Sequence, residues 1–272
     1  MAAQQHVLVS KEPPARIGVR LKTIALPAEH GAWGFLLEPI ALGLLLAPSV
    51  AGFYVALSAV AFFLMRHPLT LIVLNRKRSS PRTVLARRFA TLYLAIGSAA
   101  FVAALTFTQH QFILPLLIAT PFALVQVVHD WTGRRRVLLS ELTGAIAISS
   151  LAAAIAISGG WSAKASFVLW TIMIARAVPA ILYVRACLRR RRTVALSAVS
   201  VTVAHSLAIV AAAVLAGVNA ISPWVIVAFG LLAMRAVIGF IKAQTLTAKQ
   251  LGLSEVAFGA MTVIIIASSR YF

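Results

Sequence analysis

Leu142-Thr143-Gly144-Ala145-Ile146-Ala147-Ile148-Ser149-Ser150-Leu151-Ala152-Ala153-Ala154-Ile155-Ala156-Ile157 contains no charged side chain and no regular alternation of apolar with polar residues. A membrane β-strand would alternate the two over segments of about ten residues. An unbroken run of this length fits an α-helix, which satisfies its own backbone in a medium without water. Only about 20 such residues are needed to cross a bilayer core. Scanning outward with that length gives nine spans, over 28–47, 51–74, 88–108, 112–129, 139–158, 163–186, 194–217, 222–241 and 253–270. The expected fold is all-α, a polytopic integral membrane protein with nine transmembrane helices. Residues 1–25 form a flexible basic tail and residues 26–272 the membrane domain.

Composition supports that reading. Of 272 residues, 61% are hydrophobic and 11% charged, with a mean hydropathy of +0.95. Soluble domains carry about 25% charged residues. A soluble fold of this size would leave too much apolar surface in water. The single cysteine, Cys187, excludes an intramolecular disulfide. No short hydrophobic region with a small-residue cleavage site precedes the first span, so no removable signal peptide is expected.

The formal charge of +19 sorts by loop. The tail, with Lys11, Arg16, Arg20 and Lys22, and every second connector carry 20 of the 25 Lys and Arg residues. Lys164 and Arg270 are the two on the other side, and Arg66, Arg176 and Arg235 lie within spans. Cytoplasmic loops collect such charges. The expected topology has the N-terminus in the cytoplasm and the C-terminus outside. The same rule accounts for the charge without nucleic acid, leaving membrane lipids as the expected partners.

Ionisable groups inside spans cost at least about 2.5–3.5 kcal/mol on the insertion scale and default to a functional reading. Glu29 and His30 open span one, with Glu38 about 12 Å deeper. Arg66, His67 and Asn75 lie on span two, and His67, Leu71 and Asn75 form an i, i+4 stripe. His129 and Asp130 end span four, and Glu141 opens span five. Arg176 and Tyr183, seven apart on span six, share a face, as do Arg235 and Lys242. His205 lies on span seven and Glu255 opens span nine. Nearly all fall at mid-depth or on the cytoplasmic half. Two arrangements are open. The arginines pair with Glu38, Glu141 and Glu255 and tie helices together, or they line a cytoplasm-facing pocket for an anionic head group. In the pocket, Arg66, His67, Asn75, Arg176, Tyr183 and Arg235 bind the anion, and Glu29, His30 or Asp130 move protons.

The sequence has no phosphate loop, no nucleophile elbow and no zinc-spaced Cys/His cluster. It has no Asp-rich cluster to hold Mg²⁺, so no metal site is assigned and the cofactor is unknown.

Leu26-Pro-Ala-Glu-His-Gly-Ala-Trp33, followed by Glu38-Pro39, resembles the YwiC-like family of bacterial membrane proteins. The resemblance continues through His67-Pro68, Arg136 to Ser149, and Lys249-Gln250-Leu251-Gly252-Leu253-Ser254-Glu255 to Gly259. It implies a bacterial cytoplasmic membrane location and leaves the chemistry open. The chain more distantly resembles the UbiA-type prenyltransferases, which have nine helices and a cytoplasm-facing site. Their Asp-rich motifs on spans two and six correspond here to His67–Arg78 and Arg176–Arg192, neither with an acidic residue. The expected function is therefore a membrane-embedded UbiA-like enzyme, or a protein derived from one, that binds an anionic isoprenoid or lipid from the cytoplasmic side. The alternatives are a permease for a small anion and a non-catalytic membrane accessory protein.

Overall fold

The computed structural model describes residues 21–26, 30–76, 80–134, 136–190, 198–241 and 247–269. Most of the expected tail and Glu29 lie outside them. Ten α-helices follow in chain order: α1 Lys22–Ala25, α2 His30–Leu46, α3 Val50–Leu74, α4 Pro81–Phe107, α5 Ile113–Trp131, α6 Leu138–Ser158, α7 Ala163–Arg190, α8 Val199–Gly217, α9 Trp224–Ile241 and α10 Ala248–Ser268. No strand occurs among the described residues. Eight helices, α3 to α10, are long and apolar enough to cross a membrane, with one 3-10 turn leading into α5. The first expected span is the shorter apolar helix α2, of 17 residues. At 1.5 Å per residue it reaches about 25 Å, against a hydrocarbon core of about 30 Å.

Local chemistry explains the helix ends. Ser49 caps α3 by accepting from the Gly52 amide at 2.9 Å. Ser80 caps α4, with Pro81 in the first turn, where its missing N–H is not needed. α4 therefore begins seven residues ahead of the expected span and carries Arg82, Arg87 and Arg88 on helix. The apolar scan sees only the apolar part of a helix that continues past it. α7 likewise extends to Arg190. Thr247 and Gln250 form a reciprocal capping box at the start of α10. Gly160 turns the chain after α6 at φ +93°, a conformation that side chains resist. Pro39, Pro68, Pro121 and Pro179 all lie inside helices that continue through them.

α6 forms the axis of the bundle and packs on α2, α3, α5 and α7. Ala152, Ala153, Ala154, Ile155 and Ala156 are all 0% exposed. Five consecutive buried residues cover every face of a helix, the signature of an element enclosed by others. The small side chains allow close approach: a Cβ on Gly43 of α2 would sit 2.8 Å from Ile155 Cβ and 3.2 Å from the Ala152 carbonyl oxygen. One apolar core lies between α2, α6, α7, α8, α9 and α10, and another between α2, α3, α4, α5 and α6. α10 packs against α2, so the helix of the first expected span and that of the last are neighbours. Outward positions stay apolar: Leu117 and Leu124 on α5, Leu207 and Val214 on α8, and Val237 and Ile241 on α9 are all exposed. Water penalises apolar surface of this extent, whereas lipid does not.

α1 lies where the tail was expected to end. Its Ile24 is fully buried, and the turn packs on α3 and α4.

Candidate functional site

Glu38 lies about two turns into α2, Arg176 in the middle of α7, Arg235 less than two turns from the end of α9, and Glu255 two turns into α10. All four are at most 7% exposed. Arg176 lays its fork on Glu38, with Nε 2.8 Å from Oε2 and Nη2 donating to Oε1 at 3.0 Å. The Nη2 contact is a charge-assisted hydrogen bond and the Nε contact a close ion pair without one, so the carboxylate is held electrostatically on both sides of the fork. Nη2 also donates to the Glu255 backbone oxygen at 3.1 Å, and Nη1 lies 3.7 Å from Glu255 Oε2. The Glu255 carboxylate meets Nη1 of Arg235 through Oε1. Four helices are joined by a chain of alternating charges, Glu38–Arg176–Glu255–Arg235.

Aromatic faces cover the cations. The Arg235 guanidinium carbon lies 4.3 Å from the Tyr183 ring centre and 5.3 Å from that of Phe258, and Arg176 lies 5.7 Å from Phe35. Such faces attract a desolvated cation. Gly259, one turn beyond Glu255, makes room: a Cβ there would overlap the Glu38 carboxylate and lie 2.7 Å from Arg176 Nη2. Gly239 does the same for the Tyr183 hydroxyl. The bonding is incomplete: Arg235 Nε and Nη2 have no hydrogen-bond partner among the described residues, and Arg176 Nε and Nη1 have ion-pair contacts but no hydrogen bond. Glu255 Oε2 has an ion-pair contact but no hydrogen bond.

The remaining expected residues are placed elsewhere. Arg66 of α3 pairs through Nε with Asp130 Oδ2 of α5 at 2.8 Å. Asp130 is buried, whereas the Arg66 side chain is 30% exposed. His67 meets the Thr23 carbonyl at 3.1 Å, fastening α1, and Asn75 donates to Leu71 of its own helix at 2.9 Å. The i, i+4 stripe on α3 thus serves two unrelated partners. His30 opens α2, with its side chain outside the described residues. His205 is buried on α8 and bonds the Val201 carbonyl one turn back. Glu141 pairs with Arg185 at 2.8 Å rather than with a mid-span arginine, and the same Arg185 nitrogen donates to the Arg136 carbonyl. Arg176, Tyr183 and Arg235 are the expected anion-binding residues that do converge.

Glu38 and Glu255 were visible as intramembrane acids, but their role here depends on tertiary packing. Tyr93, which donates to the Ala25 carbonyl at 3.1 Å and helps hold α1, carried no sequence signal. No group of three or more His, Cys, Asp or Glu side chains suited to a metal ion occurs among the described residues.

Long apolar helices that face outward with hydrocarbon and pair their few charges inward define a multi-pass helical membrane protein. Residues 26–157 match the family model described as YwiC-like protein, so over that stretch the resemblance read from the opening motif is shown. The match takes in Glu38, Arg66, Asp130 and Glu141 and stops before α7. No curated protein and no solved structure matches the chain.

Proposed function

We propose that this protein holds the head group of an anionic amphipathic molecule, a lipid or isoprenoid, at the Arg176–Arg235 cluster, reached from the cytoplasmic side. The observation that carries the reading is Arg235. It is a buried guanidinium with two donors unpartnered among the described residues, between Tyr183 and Phe258. A buried donor left without an acceptor is costly, so it marks a place where an oxygen of a ligand is worth most. The outward apolar surface gives the tail of such a molecule a continuous hydrocarbon environment. The scaffold is taken as nine spans with α2 included, N-terminus inside and C-terminus outside, on the strength of the alternating basic connectors. It is read as UbiA-like in architecture and as an enzyme or a protein derived from one.

A second reading, a non-catalytic accessory protein, is favoured by Arg66–Asp130 and Arg185–Glu141, which pair along helix seams. Native mass spectrometry of the protein extracted from membranes separates the two. A retained amphiphile that is lost in Arg235→Met supports the head-group site. Equal retention by both proteins, or only bulk phospholipid on each, refutes it. A periplasmic-activity reporter fused to the C-terminus is expected to be active, and inactivity refutes the nine-span topology.

A further inference from the structure

The cluster holds two guanidinium groups and two carboxylates, so with all four ionised it is electrically neutral. An anion placed on Arg235 would leave one uncompensated negative charge beneath the bundle surface, which a low-dielectric interior penalises heavily. Glu255 is built to absorb that charge. Its Oε1 meets Arg235, its Oε2 has no hydrogen bond and a looser 3.7 Å contact with Arg176 Nη1, and its backbone oxygen is separately held by Arg176. A proton added to Oε2 weakens the hold of Glu255 on Arg235 without undoing the Arg176–Glu38 fork, which rests on other atoms. The ionisable groups around Glu255 are Glu38 on α2, Arg176 on α7 and Arg235 on α9. Tyr183 lies against Arg235, Cys187 reaches toward Gly239 of α9, and His205 of α8 is bonded to its own helix.

We infer that anionic ligands enter this site together with one proton, which Glu255 accepts as the ligand takes its place on Arg235. The inference rests on the head-group reading above and specifies its ligand class as a singly charged oxyanion on an apolar chain, bound electroneutrally. In the exchange the proton goes from solvent to the Glu255 carboxylate, one ion pair is replaced by another, and no covalent bond other than O–H is formed.

The test uses octanesulfonate, whose head group remains a monoanion, titrated into the purified full chain by calorimetry in two buffers of different ionisation heat. Wild type is expected to take up one proton per sulfonate bound. Its affinity should then fall as pH rises, with a limiting slope of about tenfold per pH unit, as linkage requires for one proton. Glu255→Gln is expected to bind with no proton uptake and no slope. Binding to wild type without proton uptake overturns this inference and leaves the head-group reading standing. No binding of octanesulfonate at any pH, or equal binding of octanol, overturns both. Methanesulfonate binding as tightly as octanesulfonate reassigns the ligand to a small free anion, with the proton count still deciding the inference. Should Glu255→Gln not fold, the two-buffer count on wild type decides alone.

Discussion

Replacing Arg176 by Met strands Glu38 in the middle of the bundle. The substitution removes the two-pronged contact at 2.8 and 3.0 Å and the bond to the Glu255 carbonyl at 3.1 Å. The side chains of the pair are 1% and 8% exposed, so water cannot take over the lost contacts. Breaking a buried pair on one side costs about 3–5 kcal/mol. An acid left at the centre of a membrane helix costs about 2.5–3.5 kcal/mol on the insertion scale, which agrees. At about 2–4 °C per kcal/mol for a chain of this size, a loss of about 3 kcal/mol lowers the melting temperature by about 6–12 °C. The double variant Arg176→Met/Glu38→Met leaves no stranded charge, and apolar replacement of buried pairs is often neutral or stabilising. It should therefore recover most of the loss. The assay is the thermal unfolding midpoint of purified protein in one detergent, followed by fluorescence-detected size exclusion after heating. A single variant within about 2 °C of wild type, or a double variant as unstable as the single, refutes the argument that charge pairing dominates here.

Gly43→Ala should cost about 1–3 kcal/mol, because the new methyl meets Ile155 Cβ at 2.8 Å and a backbone oxygen of α6. Gly144→Ala should cost less than about 1 kcal/mol, since the nearest atoms it meets are the amide end of the Gln126 side chain, which can rotate away; the same melting assay ranks the two, and the reverse order sinks the packing account. Ser80→Ala removes the α4 cap and should cost about 1 kcal/mol, read from the same midpoint. Tyr93→Phe should release α1, seen as faster hydrogen exchange at Ile24 and Ala25 with little change in melting temperature.

Most of the helical architecture was legible because hydrocarbon length is a local property of a chain. The apolar run at Leu142–Ile157 marks a helix whether or not its neighbours are known. What escaped was the continuation of helices into polar sequence. Pro81 and the arginines after it sit on helix because Ser80 caps them, not because they are apolar. The site was half legible. Spacing put Arg176 and Tyr183 on one face, and depth marked Arg235 and Glu255 as costly. Only the fold could bring Glu38 to Arg176 across 138 residues. Spacing also misled: His67 and Asn75 share a stripe, but sharing a face does not give two residues a common partner.

The alternating charges also impose an order on biosynthesis. Arg176 meets its first counterpart as soon as it is made, because Glu38 is already in the membrane, whereas Arg235 waits 20 residues for Glu255. In that interval Arg235 has the Tyr183 ring to lie against but not the Glu255 carboxylate. Completion of α10 is thus the step that closes the chain of charges, because it brings the carboxylate that Arg235 meets.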